Sequence, residues 1–227
     1  MKKLFICMLV LVLLLCGCGK APVPETAVTG ETAAPTEAKR EFTLGTLENN
    51  VYTNSYAGWG CDFGEGWSFA GAETLQQLPE EVQTLIDGSE MATVLEAYPQ
   101  IFDLAAENPE AYLAVNVVFT ALSEAEQALY AGLTEEETLD AALENRDRIL
   151  ESYLRAGMEV ESLEKVRVTF LGQSHWALRT VARTGEIPVY MVQVMDYTRG
   201  PYGVTLTATG YLEDNTQRVL DLFCPAE

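Results

Sequence analysis

Residues 166–209 read VRVTFLGQSHWALRTVARTGEIPVYMVQVMDYTRGPYGVTLTAT, and this stretch decides the fold. Four runs rich in β-branched and aromatic residues occur in it: Val166 to Leu171, Trp176 to Ala182, Val189 to Tyr197 and Tyr202 to Thr209. Side chains of this kind fit a pleated, half-buried surface. The runs are separated by Gly172-Gln173, Thr184-Gly185-Glu186 and Arg199-Gly200-Pro201, all of which carry turn chemistry. The pattern predicts four strands in an antiparallel meander.

Working outward, the stretch before the meander predicts a hairpin and then helix. Ile101 to Glu107 and Ala111 to Leu122 form the two arms across Asn108-Pro109-Glu110. In the second arm Leu113, Val115, Val117 and Phe119 alternate with Ala114, Asn116, Val118 and Thr120. Ser123 with Glu126, and Thr134 with Glu137, have the spacing of capping boxes. The second box opens a helix expected to run to Ala156 and stop at Gly157, with Leu139, Ala142, Leu143, Leu150, Tyr153 and Leu154 on one face. Glu144–Arg148 and Glu151–Arg155 are i,i+4 pairs, each contributing about 0.2–0.5 kcal/mol. Glu135, Glu136 and Glu137 fall in the first turn, where the helix dipole favours negative charge.

Further upstream, a strand is expected from Asn50 to Tyr56, with Tyr52, Asn54 and Tyr56 on one face. A short strand around Trp59, Cys61 and Phe63 lies between turns in Gly58 to Gly66. Helices are expected over Glu73 to Ile86, disturbed by Pro79, and over Glu90 to Ala97. Downstream, Glu213 to Phe223 predicts a last helix that packs Val219, Leu220 and Phe223. The fold class is α+β: an antiparallel β-sheet with helices packed against it.

The first residues have a different character. Lys2 and Lys3 precede thirteen uncharged residues, Leu4 to Cys16, which as a helix would span about 20 Å. A bilayer core needs about 20 apolar residues, so the run suits a cleavable export signal. It ends in Leu15-Cys16-Gly17-Cys18. This resembles the bacterial lipobox, with an aliphatic residue at −3, a small residue at −1 and cysteine at +1. The resemblance implies a signal peptide over 1–17 and a diacylglycerol thioether on Cys18, which would tie the chain to the bacterial cell membrane, facing outside the cytoplasm. Two acyl chains make a stable anchor where one would be marginal. Residues 19–41, rich in Pro, Ala, Thr and Glu, read with Cys18 as a disordered tether over 18–41. Residues 42–227 are of ordinary size for one domain.

The formal charge is −20, and it becomes −22 once Lys2 and Lys3 leave with the signal. Nucleic acid, which needs a basic footprint, is excluded as a partner. Residues 73–164 hold 21 acidic and 3 basic side chains, the pattern of a solvated face that keeps an exported protein soluble. Cys61 and Cys224 remain after processing, and either a single disulfide or two separate thiols would suit an exported domain.

Little in the chain points to chemistry. His175 is the only histidine, so a His/Cys metal site lacks its ligand set, and no metal or cofactor is expected. His175 reads as a turn or strand residue following Gly172-Gln173-Ser174. No nucleophile elbow or phosphate-binding loop is present, and the chain is not expected to be an enzyme. Aromatic residues are dense over 52–69: Tyr52, Tyr56, Trp59, Phe63, Trp67 and Phe69. With Asn54 among them, Tyr52, Tyr56 and Trp59 either form a stacking surface for a sugar or small ligand, Tyr56 and Trp59 being exposed, or pack the core.

The order of elements resembles the PsbP-like fold. The resemblance is carried by Tyr52-Thr53-Asn54 with Gly66-Trp67, by Asn116-Val117-Val118, by the long amphipathic helix, by the strand Gly203 to Thr209, and by Val219 to Phe223. It implies a sandwich of sheet and helices acting as an adaptor or assembly module without a shared catalytic site. The expectation is therefore a membrane-anchored, non-enzymatic binding or adaptor module with a protein partner. Glycan or small-ligand capture through residues 52–69 is the alternative, and a cell-surface hydrolase a remote one.

Overall fold

A computed structural model of the chain describes residues 42–70 and 100–226. Its strands are β1 Thr46–Glu48, β2 Val51–Asn54, β3 Trp59–Asp62, β4 Ser68–Phe69, β5 Gln100–Asn108, β6 Leu113–Ala121, β7 Glu159–Phe170, β8 Gln173–Thr184, β9 Ile187–Asp196, β10 Tyr202–Tyr211 and β11 Phe223–Pro225. The helices are α1 Glu124–Tyr130, α2 Glu135–Leu143, α3 Arg146–Arg155 and α4 Thr216–Leu220. The fold is α+β. The helices expected within 73–97 and the signal and tether over 1–41 lie outside the described residues. Among the described residues no helix is long and apolar enough to cross a membrane.

The meander forms as read, with longer strands. It is part of a seven-stranded antiparallel sheet in the order β4-β5-β6-β10-β9-β8-β7. The hairpin β5–β6 docks on the last strand of the meander, with Leu206 opposite Val117. One sheet face packs α1, α2 and α3 through Tyr130, Leu139, Ile149 and Tyr153. The other packs Tyr52, Tyr56, Trp59, Phe63, Val219 and Phe223 against Val117, Phe119, Val204 and Leu206. With both faces covered, Leu113 to Thr120 are all buried, and the alternation read in the sequence sorts them between two cores rather than between core and solvent. Asn116, Thr207 and Gln193 form a row across one of these buried faces, in which Gln193 Nε2 donates to Thr207 Oγ1 at 3.2 Å.

The second face is covered by a sheet of its own, in the order β1-β2-β3-β11. Here two expectations are corrected. The C-terminal helix does not extend from Glu213 to Phe223. It is confined to Thr216–Leu220, and Phe223 begins a strand that pairs with Cys61. The extended backbone closes the small sheet and brings the Phe223 ring to 5.2 Å from that of Trp59. The helix opened by Thr134 also breaks. Both capping boxes form, but Asn145 leaves helical geometry (φ −98°, ψ 26°), and α3 starts afresh at Arg146. The break redirects α3 onto β7, where Arg146 Nη1 donates to the Leu163 carbonyl at 2.7 Å. Leu154 is consequently 63 % exposed instead of sharing the buried face of Tyr153. Gln217 Nε2 donates to the Thr169 carbonyl at 2.8 Å, so two side chains cap the outer edge of β7, where a free strand edge would invite pairing with another chain.

The cysteines are both free, Cys61 buried and Cys224 exposed. The register explains why the disulfide alternative fails. Cys61 lies opposite Phe223, whereas Cys224 lies opposite Gly60. Successive side chains in a strand point to opposite faces, so this one-residue offset directs the two sulfurs away from each other. Burial pushes the Cys61 thiol up to about 12. A thiol-reactive maleimide is expected to label Cys224 in the native protein at once and Cys61 only after denaturation. Mass spectrometry of the labelled peptides reads this, and protection of both thiols without reductant would mean that they are bridged.

Candidate functional site

The main-sheet ladder opens at one point. β8 and β9 pair from Thr184↔Ile187 down to Leu178↔Gln193, and there the pairing stops. Both strands continue: β8 stays paired with β7 through Gln173, and β9 with β10 through Asp196. In continued register Trp176 would face Met195. Instead α2 places the Glu135 carboxylate beside β8. Its Oε2 accepts the Trp176 backbone N–H at 3.0 Å, and its Oε1 lies 2.6 Å from His175 Nδ1. Antiparallel neighbours alternate in which residues point their N–H and C=O toward a given partner. The Trp176 N–H points to the β9 side, so a carboxylate stands where a β9 carbonyl would complete the ladder.

The parted strands bound a cleft of about 160 Å³. It penetrates the sheet, since its lining comes from both cores: Met195, Tyr197 and Thr138 from the helix side, and Trp59, Phe170, Val194, Val204 and Leu206 from the small-sheet side. The polar lining is Glu135, Thr138, His175, Asp196, Thr198 and Arg199. Asp196 accepts from Arg199 Nε and from the Thr198 backbone N–H and hydroxyl, so it folds the chain after β9 back over the cleft. The cleft thus has an apolar floor and a rim of two hydrogen-bonded couples, Glu135 with His175 and Arg199 with Asp196. An ion pair as exposed as Arg199–Asp196 contributes about 0–1 kcal/mol and does not by itself hold the walls in place. Ligand pockets for drug-sized molecules are commonly about 300–1,000 Å³. This one has room for a single side-chain-sized group, with donors and acceptors at its mouth.

Neighbouring contacts fix α2 on the β7–β8 hairpin. Lys165 Nζ reaches Asp140 at 2.6 Å and Glu136 at 3.3 Å, and the Arg167 guanidinium sits 4.2 Å from the centre of the Trp176 ring. The acidic first turn of α2 therefore has more than a dipole role, because Glu135 and Glu136 reach out to the sheet. Glu137 turns back to its own cap: the Thr134 backbone N–H, with the Thr134 hydroxyl, holds its carboxyl below the usual range.

The residues singled out by sequence divide. Trp59 lines the floor of the cleft and is buried, as is Tyr56, so of the two alternatives for these residues the core holds and the exposed stacking surface does not. The Tyr56 hydroxyl donates to the Tyr202 carbonyl, and its ring packs on Phe42 and Phe119. Tyr52 and Asn54 are buried and turned toward Asp103. Together these four side chains are core, not a stacking surface, because the small sheet lays their common face on the main sheet. Trp67 is half-buried against Phe63. His175 does lie on β8, as read, but its carboxylate partner and its place in the cleft come from α2, forty positions earlier. The spacing of Glu135 and His175 in the chain carries no signal of this. Among the described residues no group of three or more His, Cys, Asp or Glu is placed to hold a metal ion.

No protein-family model matches the chain, and no curated protein matches it. Residues and geometry alone carry the functional reading.

Proposed function

We propose that this protein is a lipid-anchored, non-catalytic binding module of the bacterial cell surface, held through Cys18, with a domain of the PsbP-like kind, and that the β8–β9 cleft is where it contacts its partner. The observation that carries the reading is the cleft itself, a parting of β8 from β9 that combines an apolar floor with a polar mouth. The Glu135 carboxylate orients the His175 ring in the manner of a catalytic base. Yet among the described residues no hydroxyl or thiol is hydrogen-bonded to that imidazole, which favours recognition over nucleophilic chemistry. The acidic overall charge favours a protein partner over nucleic acid. A photo-crosslinking residue in place of Thr198, at the mouth of the cleft, is expected to capture a discrete membrane or envelope protein in native cells. The same residue in place of Glu151, on the exposed side of α3, is expected to capture none. Equal capture from both positions, or from neither, would overturn the assignment of the cleft.

A further inference from the structure

We infer that the β8–β9 cleft recognises a carboxylate carrying a compact apolar tail, such as the end of an extended peptide or a free acid of amino-acid size. The inference rests on the proposal that the cleft is the contact site and names what enters it. Three observations converge. First, a carboxylate is already seated there. Glu135 receives the Trp176 backbone N–H and faces His175 Nδ1, a pairing of main-chain donor and imidazole that suits any carboxylate in that position. Second, Glu135 is replaceable without undoing α2: that helix is capped by the reciprocal Thr134–Glu137 bonds and tied to the sheet by Lys165 through Glu136 and Asp140. Third, the floor beneath is apolar, with Trp59, Phe170, Val194, Val204 and Leu206 around a volume of about 160 Å³. That space fits one aliphatic side chain. Arg199 at the rim supplies a positive group whose partner, Asp196, is part of the same mouth.

Glu135 is then an internal occupant that an incoming carboxylate displaces, and it lowers the apparent affinity by the fraction of time it holds the site. His175 is the only histidine of the chain, so its ring signals in a ¹H–¹³C NMR spectrum report on the cleft without ambiguity. The probes are N-acetyl-leucine, N-acetyl-leucinamide, and the peptide acetyl-Ala-Ala-Leu with a free C-terminus, each titrated into the full-length protein in detergent. The acid is expected to shift the His175 signals and the amide to leave them in place. Glu135→Ala is expected to bind the acid about tenfold more tightly. Shifts from the peptide alone would identify a chain terminus as the source, and shifts from both would show that a free acid suffices. Equal shifts from acid and amide, or none from any probe in both the parent and a folded Glu135→Ala, would overturn the inference. Should Glu135→Ala fail to fold by circular dichroism, the acid-against-amide comparison on the parent decides it. Crosslinking from Thr198 that persists when these probes fail would retain the cleft as the contact site and reject only this ligand class.

Discussion

Asp103→Ala is expected to destabilise the protein by about 3–5 kcal/mol, the largest loss of any single polar substitution proposed here. Asp103 sits at the bulge of β5, where the register with β6 shifts between Phe102 and Leu104. The bulge turns its carboxylate toward the small sheet. There it accepts the Tyr52 hydroxyl at 2.5 Å, Asn54 Nδ2 at 2.7 Å and the Gly45 backbone N–H at 2.8 Å. Tyr52 and Asn54 are each 1 % exposed, so loss of the carboxylate takes the acceptor from two buried donors. Each orphaned buried donor costs about 1–3 kcal/mol, which sets the range. Burial, followed by the charge of Asp103, pushes the Tyr52 hydroxyl far above the ordinary tyrosine range, so it remains a donor at any pH at which the protein is folded. Asp103→Asn keeps one acceptor oxygen and is expected to lose about half as much. A double-mutant cycle with Tyr52→Phe should give a coupling of about 1–3 kcal/mol. Denaturant unfolding monitored by tryptophan fluorescence measures all of these. A loss below about 1 kcal/mol for Asp103→Ala would show that the clasp does not join the two sheets.

Cys18→Ala is expected to transfer the protein from the membrane to the soluble fraction while leaving its unfolding midpoint unchanged. The reasoning follows from the proposed anchor. Two acyl chains, at about 0.8 kcal/mol per buried methylene, hold a protein stably on a bilayer, and a single chain only marginally. Without the thiol there is no atom to carry them. The thirteen-residue run Leu4 to Cys16 is shorter than the roughly 20 residues a spanning helix needs and does not replace them. Fractionation followed by a carbonate wash reads the outcome. A Cys18→Ala protein that stays wholly in the membrane would show that something other than this thioether holds it. Unchanged unfolding is the second half of the test, since Cys18 precedes the first described strand by more than twenty residues.

How much of this was legible beforehand depends on the range of the interaction concerned. The Ser123–Glu126 and Thr134–Glu137 capping boxes span three residues, and both form as read. The turn between β7 and β8 falls one residue earlier than the Gly172-Gln173 of the sequence pattern. It is Leu171-Gly172, both with positive φ, a conformation that Gly172 adopts freely and that brings Gln173 into the strand. The single helix expected from Thr134 to Ala156 had the right periodicity. What broke it was the docking of Arg146 on the Leu163 carbonyl, a contact between elements. For Tyr56 and Trp59 the sequence leaves surface and core both open, because local pattern shows which residues share a face but not what covers that face.

The sequence by itself determined the antiparallel meander, its hairpin partner, both helix starts and the α+β class, because alternation, turn chemistry and caps act between residues a few positions apart. Only the tertiary structure decided that β10 pairs with β6, that Phe223 extends to close a second sheet, and that Cys61 and Cys224 face opposite sides. It alone decided that β8 and β9 part where Glu135 enters. Each of these depends on which distant segment supplies the neighbour and in what register, and a shift of one residue in that register reverses every side chain that follows.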